Sequence, residues 1–353
     1  MKSVHLVIPD LFLPQDIAVE VCAGLRLPAL EKLLARGAST VSARTGAPGL
    51  PLENLLCELF AVPCAVDAPI APISAAFDGL PAGCWMRADP VNLRLQREKL
   101  LLSGVQVSRE ESVELCASLN RYFAGQGMEF FAPHPQRWYL RLAKLPRIKT
   151  TPLSAVLGGN VRGALPTGED AARWHSLFNE MQMLLFAHPA NQAREERGEA
   201  TINSVWLWGV GESAGTLAKA FDSVISDELM VEMLASATAS PFAVWAERWD
   251  DTFLLDSTPD AQDQLSSDGR QLLVWTGLRS ALQHGDLAAW RDALQGFEVG
   301  YAQPLWRALR SGKLGQVRLD ILGEAGLRSV RLERAATWDF WRRSQRLADY
   351  SLR

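Results

Sequence analysis

The sequence predicts an α/β protein whose core sheet is built from both ends of the chain, with an α+β domain inserted between them. Three observations predict it. Strand and helix patterns alternate over residues 1–83 and again over 201–353. The middle, 84–200, carries strands and helices of its own. The 353 residues, 48% hydrophobic and 22% charged, suffice for two cores and are too apolar for a disordered chain.

The elements follow in order. Val4 to Ile8 reads as a buried strand stopped by Pro9, and not as a signal peptide. Pro28 opens a helix that ends at Arg36, with Gly37 just past it. Leu52 to Phe60 is a second helix. The proline-rich stretch from Pro63 to Pro81 reads as loop. Cys84 to Leu95 is extended. Ser108-Arg109-Glu110-Glu111 forms a capping box that opens a helix ending near Gly125. Phe130-Phe131 and Trp138 to Leu142 are strands. Glu169 to Ala187 is a helix with Trp174, Leu177, Phe178, Met181, Leu184 and Leu185 on its apolar face, capped by Thr167 or Gly168. Ile202 to Trp208 is a strand. Helices are expected at Gly215 to Ser223 and Asp227 to Ala235, a short strand at Thr252 to Leu255, and helices at Leu272 to Gln283 and Asp286 to Arg310. A strand pair, Val317 to Leu322 and Leu327 to Leu332, precedes a last helix, Trp338 to Leu347.

Composition excludes several function classes. A net charge of −4 argues against a general nucleic-acid binder. Five cysteines without a C-x-x-C pair argue against a disulfide framework or zinc ribbon and read as reduced thiols in a cytoplasm. The longest apolar stretch, Ala61 to Phe77, contains Asp67 and three prolines, so no membrane segment is expected. Charge is uneven. His134 to Gly168 holds six basic residues and no acid, whereas Glu247 to Asp268 holds seven acids against Arg248. These are two solvated faces, or an anion-binding surface on the insertion facing an acidic core edge.

Three common catalytic fingerprints are absent: there is no phosphate loop, no H-x-H and no H-E-x-x-H. Gly209-x-Gly211 follows a strand, but the next glycine, Gly215, is misplaced for a dinucleotide site, and a tight turn explains the pair as well. In His284-Gly285-Asp286 the aspartate reads as a helix cap rather than a metal ligand.

Three stretches carry a family resemblance. They are Leu165-Pro166-Thr167-Gly168-Glu169, then His188-Pro189-Ala190-Asn191-Gln192-Ala193-Arg194-Glu195-Glu196-Arg197-Gly198-Glu199, then Asn203-Ser204-Val205-Trp206-Leu207-Trp208-Gly209-Val210-Gly211. In this order they resemble the L-P-T-G-E, H-P-V-N-x-x-R-x-x-R-G-E and N-x-I-W-L-W-G-x-G of archaeal-type cofactor-independent phosphoglycerate mutases. The whole chain looks closer still to bacterial regulatory proteins of the RpfE type, through Arg87-Ala88-Asp89-Pro90-Val91, residues 133–142 and residues 179–186. The resemblance implies an alkaline-phosphatase-like fold, a three-layer core sheet with an inserted domain similar to the mutase substrate domain.

It also implies a chemistry to check. Such enzymes use two divalent metals, which neutralise the transferring phosphoryl group, and a serine nucleophile. Asp10 matches the metal-binding acid after the first strand, but Leu11 replaces the family's glycine. The nucleophile region falls at Gly49 to Asn54 and holds no serine or threonine. Asp260 matches an aspartate of the family's A-P-D-E-A-G-H, but Gln264 stands where its metal-binding histidine should be. The late Asp-His pair and the last histidine have no counterpart. Asp10, Asp256 and Asp260 remain as a vestigial set that could hold one weak magnesium or manganese ion, and no other cofactor is expected.

Ligand-binding candidates come from the polar residues in the mutase-like stretches: Arg87, Asp89, Asn92, Arg162, His188, Asn191, Arg194 and Arg197. Arginine suits bidentate recognition of carboxylate or phosphate, although Asn191 and Arg194 also suit a purely structural part. The leading expectation is a catalytically degenerate protein that binds a small phosphorylated or carboxylate ligand or a protein partner, with no nucleic-acid or membrane partner. An active metal-dependent mutase, phosphotransferase or phosphatase with a remodelled site is one alternative. A protein-interaction scaffold using the basic insertion or Trp338 and Trp341 is another.

Overall fold

A computed structural model describes residues 2–42, 52–64, 67–213, 215–250, 269–323 and 326–351. The expected strand at Thr252 to Leu255 lies outside them, as do Asp256, Asp260 and Gln264. The chain divides into two compact units, Met1–Leu52 with Ala218–Arg353, and Glu53–Leu217.

The first unit contains β1 (Ser3–Pro9), α1 (Gln15–Val21), α2 (Pro28–Arg36), β2 (Ala38–Ser42), and then, after the second unit, β8 (Ser223–Ser226), α8 (Leu229–Ala237), β9 (Phe242–Val244), β10 (Arg270–Val274), α9 (Arg279–Gln283), α10 (Leu287–Phe297), α11 (Gln303–Ser311), β11 (Gln316–Gly323), β12 (Gly326–Glu333) and α12 (Leu347–Ser351). Its sheet runs β2-β12-β11-β1-β10-β8-β9 among the described residues. The strands from β11 to β9 are parallel, while β12 and β2 add antiparallel at one edge. Val4, Leu6 and Ile8 point to one face, with Val317, Leu319 and Ile321 of β11 beside them, and Leu30, Leu33, Trp290, Leu294 and Leu305 cover that face. Period-2 alternation selects one face of a strand and helical spacing supplies its cover.

One buried carboxylate fastens this layer. Glu298 lies in a π-helical turn, Glu298–Ala302, between α10 and α11. Its two oxygens accept the N–H groups of Ala29 and Leu30 at 2.9 and 3.0 Å, satisfying the open donors at the start of α2.

The second unit contains α3 (Leu52–Leu59, which begins at the junction), α4 (Ile70–Phe77), β3 (Cys84–Gln96), β4 (Lys99–Gly104), α5 (Arg109–Tyr122), β5 (Met128–His134), β6 (Arg137–Leu142), α6 (Ala171–Phe186), α7 (Pro189–Glu196) and β7 (Ser204–Glu212). Its sheet is antiparallel. The first half of β3 pairs with β6, the second half with β4, and its other edge with β7; β5 closes on β6. Met86 and Ala88 face α5 and α6, whereas Trp85 and Tyr139 face Ala71 and Ala75 of α4.

Several elements differ from expectation, each for a physical reason. The junctions fall at 52/53 and 217/218 rather than at 83/84 and 200/201, because α4 packs on β3 and because β7 is a strand of the second sheet. Pro63 to Pro81 contains α4, since Pro72 sits in its first turn, where no intrahelical N–H is needed. Leu272 to Val274 is strand, not helix: a short apolar run flanked on both sides by parallel strands has no helical face to show. Residues 215–222 are irregular rather than helical, and in place of the helix at Trp338 to Leu347 a 3₁₀ turn, Arg334–Trp338, is followed by irregular chain up to α12. The capping box is present, with Ser108 Oγ accepting from Glu111 N and Glu111 Oε2 from Ser108 N. Helix α6 is preceded by Asp170 rather than Thr167 or Gly168, without a side-chain cap.

Candidate functional site

In an open parallel sheet the ligand crevice lies beyond the carboxyl ends of the strands. In the first unit those ends bring together Asp10 after β1, Asp227 after β8, and Trp275 and Thr276 after β10. The Asp10 backbone has φ 63°, a left-handed conformation that side chains other than glycine rarely adopt. Its N–H donates to Leu322 O at 2.9 Å, and its carbonyl accepts from Trp290 Nε1 at 3.3 Å. The side chain is thereby aimed at α9, where Arg279 Nε donates to Asp10 Oδ2 at 3.2 Å. Asp227 Oδ1 accepts from Thr276 N at 2.8 Å. Loss of hydration pushes the Asp227 carboxyl above its ordinary range, against the Thr276 hydrogen bonds and the Arg279 charge.

Among the described residues this donor set does not fit a two-metal centre; Asp256 and Asp260 lie outside them. A guanidinium at hydrogen-bond distance from Asp10 already supplies the positive charge there and repels a dication. Among the described residues no group of three or more His, Cys, Asp or Glu side chains stands close enough to share an ion. The start of α3 falls in the nucleophile region. There Glu53 is buried, with one oxygen accepting from Ser154 Oγ at 2.6 Å and the other unpartnered. Sequence reasoning singled out Asp10 but missed Arg279 and Asp227. The only signal for them was their place just after short apolar runs.

The eight ligand-binding candidates lie in the second unit, and most of their polar atoms are already engaged. Asn191 Nδ2 donates to Leu185 O and Ile202 O at 2.7 and 2.9 Å, while its Oδ1 accepts from Ile202 N at 2.7 Å. Arg194 donates to Ala200 O, Glu111 Oε2 and Gln106 O at 2.7, 2.8 and 2.9 Å, which ties α7 to the capping box of α5. His188 caps α7 through Nδ1 and pairs by Nε2 with Ser118 Oγ at 2.9 Å. Arg197 grips Glu199 with two hydrogen bonds of 2.9 Å and reaches Glu111 at 3.1 Å. Asn92 donates to Thr201 O at 2.8 Å. Arg162 alone of the eight is exposed without such a partner among the described residues.

Arg87 and Asp89 form a separate buried cluster on the α4 face of the sheet. Arg87 pairs with Asp89 and lies over the Tyr139 and Trp208 rings, 5.2 and 5.4 Å from their centroids. Asp89 Oδ2 accepts from Trp208 Nε1 at 2.7 Å. Next to it Asp78 takes two hydrogen bonds from Arg137, at 2.7 and 2.8 Å, and one from Tyr139 Oη at 2.5 Å. Burial pushes Asp78 up, but these donors outweigh it and hold the carboxyl below its ordinary range. Gly209 and Gly211 also have a packing cause. A Cβ on Gly211 would come within 2.5 Å of Pro69 Cβ, and one on Gly209 within 3.3 Å of Ile70 Cβ. They let β7 and the start of α4 approach closely, which disposes of a dinucleotide reading.

A separate open cleft of about 1020 Å³ is lined by Asn120, Glu129, Arg141, Glu212 and Ser213 together with small and apolar residues of the second unit. None of the eight candidates lines it.

No protein-family model matches the chain. It is 28% identical over 199 residues to the probable 2,3-bisphosphoglycerate-independent phosphoglycerate mutase of Geobacter sulfurreducens, covering 53% of this chain and 49% of that one. It is 25% identical over 193 residues to the 2,3-bisphosphoglycerate-independent phosphoglycerate mutase of Methanosarcina mazei, covering 53% and 48%. The chain thus matches about half the length of these curated relatives. Among solved structures, the PH0037 protein of Pyrococcus horikoshii shares the fold at a TM-score of 0.55 and 14% identity, over 99% of this chain and 92% of that one. The cofactor-independent phosphoglycerate mutase of Thermoplasma acidophilum superposes at a TM-score of 0.46 and 14% identity, over 94% and 90%. The fold is a mixed α/β one, shared with the PH0037 protein. The chain is similar to phosphoglycerate mutases at low identity.

Proposed function

We propose that this protein is a pseudoenzyme, a relative of the cofactor-independent phosphoglycerate mutases that has given up phosphoryl transfer and acts by binding. Its role in this reading is regulatory, of the RpfE type, in a bacterial cytoplasm. It answers to a small phosphorylated or carboxylate ligand or to a protein partner, without nucleic acid or membrane. No helix among the described residues is long and apolar enough to cross a membrane.

The observation that carries the reading is the Asp10–Arg279 ion pair. The one described acid that resembles a family metal ligand is already neutralised by a side chain of the same unit. The absence of serine and threonine from Gly49 to Asn54 supports the same conclusion, since a phosphoryl relay needs a hydroxyl to carry the group. The test is steady-state assay of the full chain for phosphoglycerate mutase and p-nitrophenyl phosphate turnover with manganese. The reading expects both rates to match those of the Asp10→Ala variant. Turnover that Asp10→Ala abolishes would establish a working metal site and end it.

A further inference from the structure

Three exposed aromatic side chains sit among arginines in the first unit. Trp338 is 58% exposed, Phe340 81% and Trp341 66%, whereas Trp85, Trp138, Trp206 and Trp290 are fully buried. A soluble surface rarely carries such a patch without a use for it. The Arg310 guanidinium lies 5.2 Å from the Trp338 centroid, and Phe340 and Trp341 meet edge-to-face at 5.3 Å and 76°. Residues 339–346 have no regular structure, and hydrogen bonds tie their first part. Phe340 N donates to Trp338 O at 2.8 Å, Arg342 N to Asp339 O at 3.1 Å, and Arg342 Nη1 to Arg36 O at 3.3 Å, while Arg36 itself donates to Thr337 O. Arg310, Arg342 and Arg343 are exposed, Arg310 against Trp338 and the other two directly after Trp341 in the chain. Asp339 is 3.8 Å from Arg342, whereas the neighbouring Arg346 already lies beside Glu31 and Asp349.

We infer that this surface docks a protein partner whose contact segment combines an apolar anchor with acidic side chains. The charge of the patch calls for acids opposite it. Tryptophan and arginine are the residues that concentrate binding energy at protein interfaces. Polyanions are a poorer fit. Nucleic acids and anionic bilayers recruit proteins through a long-range positive field, and this chain carries a net charge of −4. The edge-to-face pair also presents a wedge rather than parallel faces on which successive bases could stack. An acidic protein segment is recognised at contact range, within a Debye length, where only the local arginines count.

The experiment selects a phage-displayed random peptide library on the immobilised full chain, counter-selected on a Phe340→Ser/Trp341→Ser variant. Enriched sequences are synthesised with a fluorophore and titrated by anisotropy. Peptides joining Asp or Glu to aliphatic or aromatic residues are expected. Their affinity should fall about tenfold or more in Trp341→Ala and several-fold in Arg342→Glu/Arg343→Glu, and it should weaken as salt rises. Circular dichroism should show every variant folded, since the altered side chains are exposed. No enrichment over the counter-selection, enrichment of peptides without acids, or equal binding to all variants would overturn the inference. So would tighter binding of a labelled oligouridylate or of phosphatidylglycerol vesicles that Trp341→Ala abolishes, which would assign the surface to nucleic acid or to a bilayer.

Discussion

The Asp10 carboxylate and the Arg279 guanidinium lie 3.2 Å apart at the carboxyl ends of the parallel strands. Both are partly exposed, so the pair is worth little as a stabiliser. A double-mutant cycle with Asp10→Ala and Arg279→Ala should return a coupling of about 0.2–1 kcal/mol. A coupling indistinguishable from zero would mean that the pair does not form in solution. The backbone of Asp10 supplies a sharper contrast. At φ 63°, Asp10→Gly should keep or raise stability, whereas Asp10→Ala should fall about 1–2 kcal/mol below Asp10→Gly and the β-branched Asp10→Val lower still.

Asn191 is expected to behave as framework. Asn191→Ala leaves Ile202 O and Ile202 N without their Asn191 partner in a buried place, while Leu185 O keeps the His188 N–H at 3.1 Å. Each unmet group costs about 1–3 kcal/mol, so a loss of about 2 kcal/mol or more in the second unit should appear in urea unfolding followed by hydrogen exchange. Arg162→Ala, which alters an exposed side chain, should change stability by less than about 0.5 kcal/mol. If Asn191→Ala proved neutral, the side chain would be free for a ligand after all.

Arg87→Ala should cost about 3–5 kcal/mol, because it strands Asp89 as a buried charge with Trp208 as its donor. The double variant Arg87→Met/Asp89→Leu should recover much of that loss, since removing both charges removes the unpaired one. Equal losses in the single and double variants would show that the ring contacts of Arg87, and not its charge, are what matter.

Acid should destabilise both units. In Asp78 of the second unit and Asp320 of the first, burial raises the carboxyl but its hydrogen-bond donors outweigh it and lower it overall. For Asp320 the donors are His5 Nε2 at 2.7 Å and Ser329 Oγ at 2.6 Å, with Arg318 Nε at 3.1 Å. A carboxyl lowered on folding stabilises fully above its unfolded value of about 4 and loses that contribution as pH falls through the lower folded value. Melting temperature should therefore drop as pH falls below about 4. Asp320→Asn should flatten the drop for the first unit and Asp78→Asn for the second. Unchanged slopes in both variants would assign acid sensitivity to other groups.

The legible parts of the sequence were those with a strong local signal. The β1 run, the α2 boundaries between Pro28 and Gly37, the Ser108 capping box and the Asp286 cap all appear in the structure as read. Elements whose identity depends on neighbours were not legible. Leu272 to Val274 is a strand because β1 and β8 flank it, and α4 is a helix because β3, β6 and β7 offer Trp85, Tyr139 and two glycines to pack against. The site split in the same way. Family-like motifs pointed to Asp10, Asn191 and Arg194, but nothing local could show that Asn191 and Arg194 spend their donors on backbone carbonyls and Glu111. Nor could spacing reveal Arg279, which lies 269 positions from the acid it neutralises.

The central claim is that the charge once supplied by metal is now supplied by protein. Elemental analysis of the full chain, equilibrated with manganese and then desalted, tests it most directly. The account predicts well under about one ion per chain, with Arg279→Ala raising retention because it frees the Asp10 carboxylate. About two ions per chain in the unaltered protein, the complement of a bimetallic phosphoryl-transfer centre, with loss of both in Asp10→Ala, would contradict it.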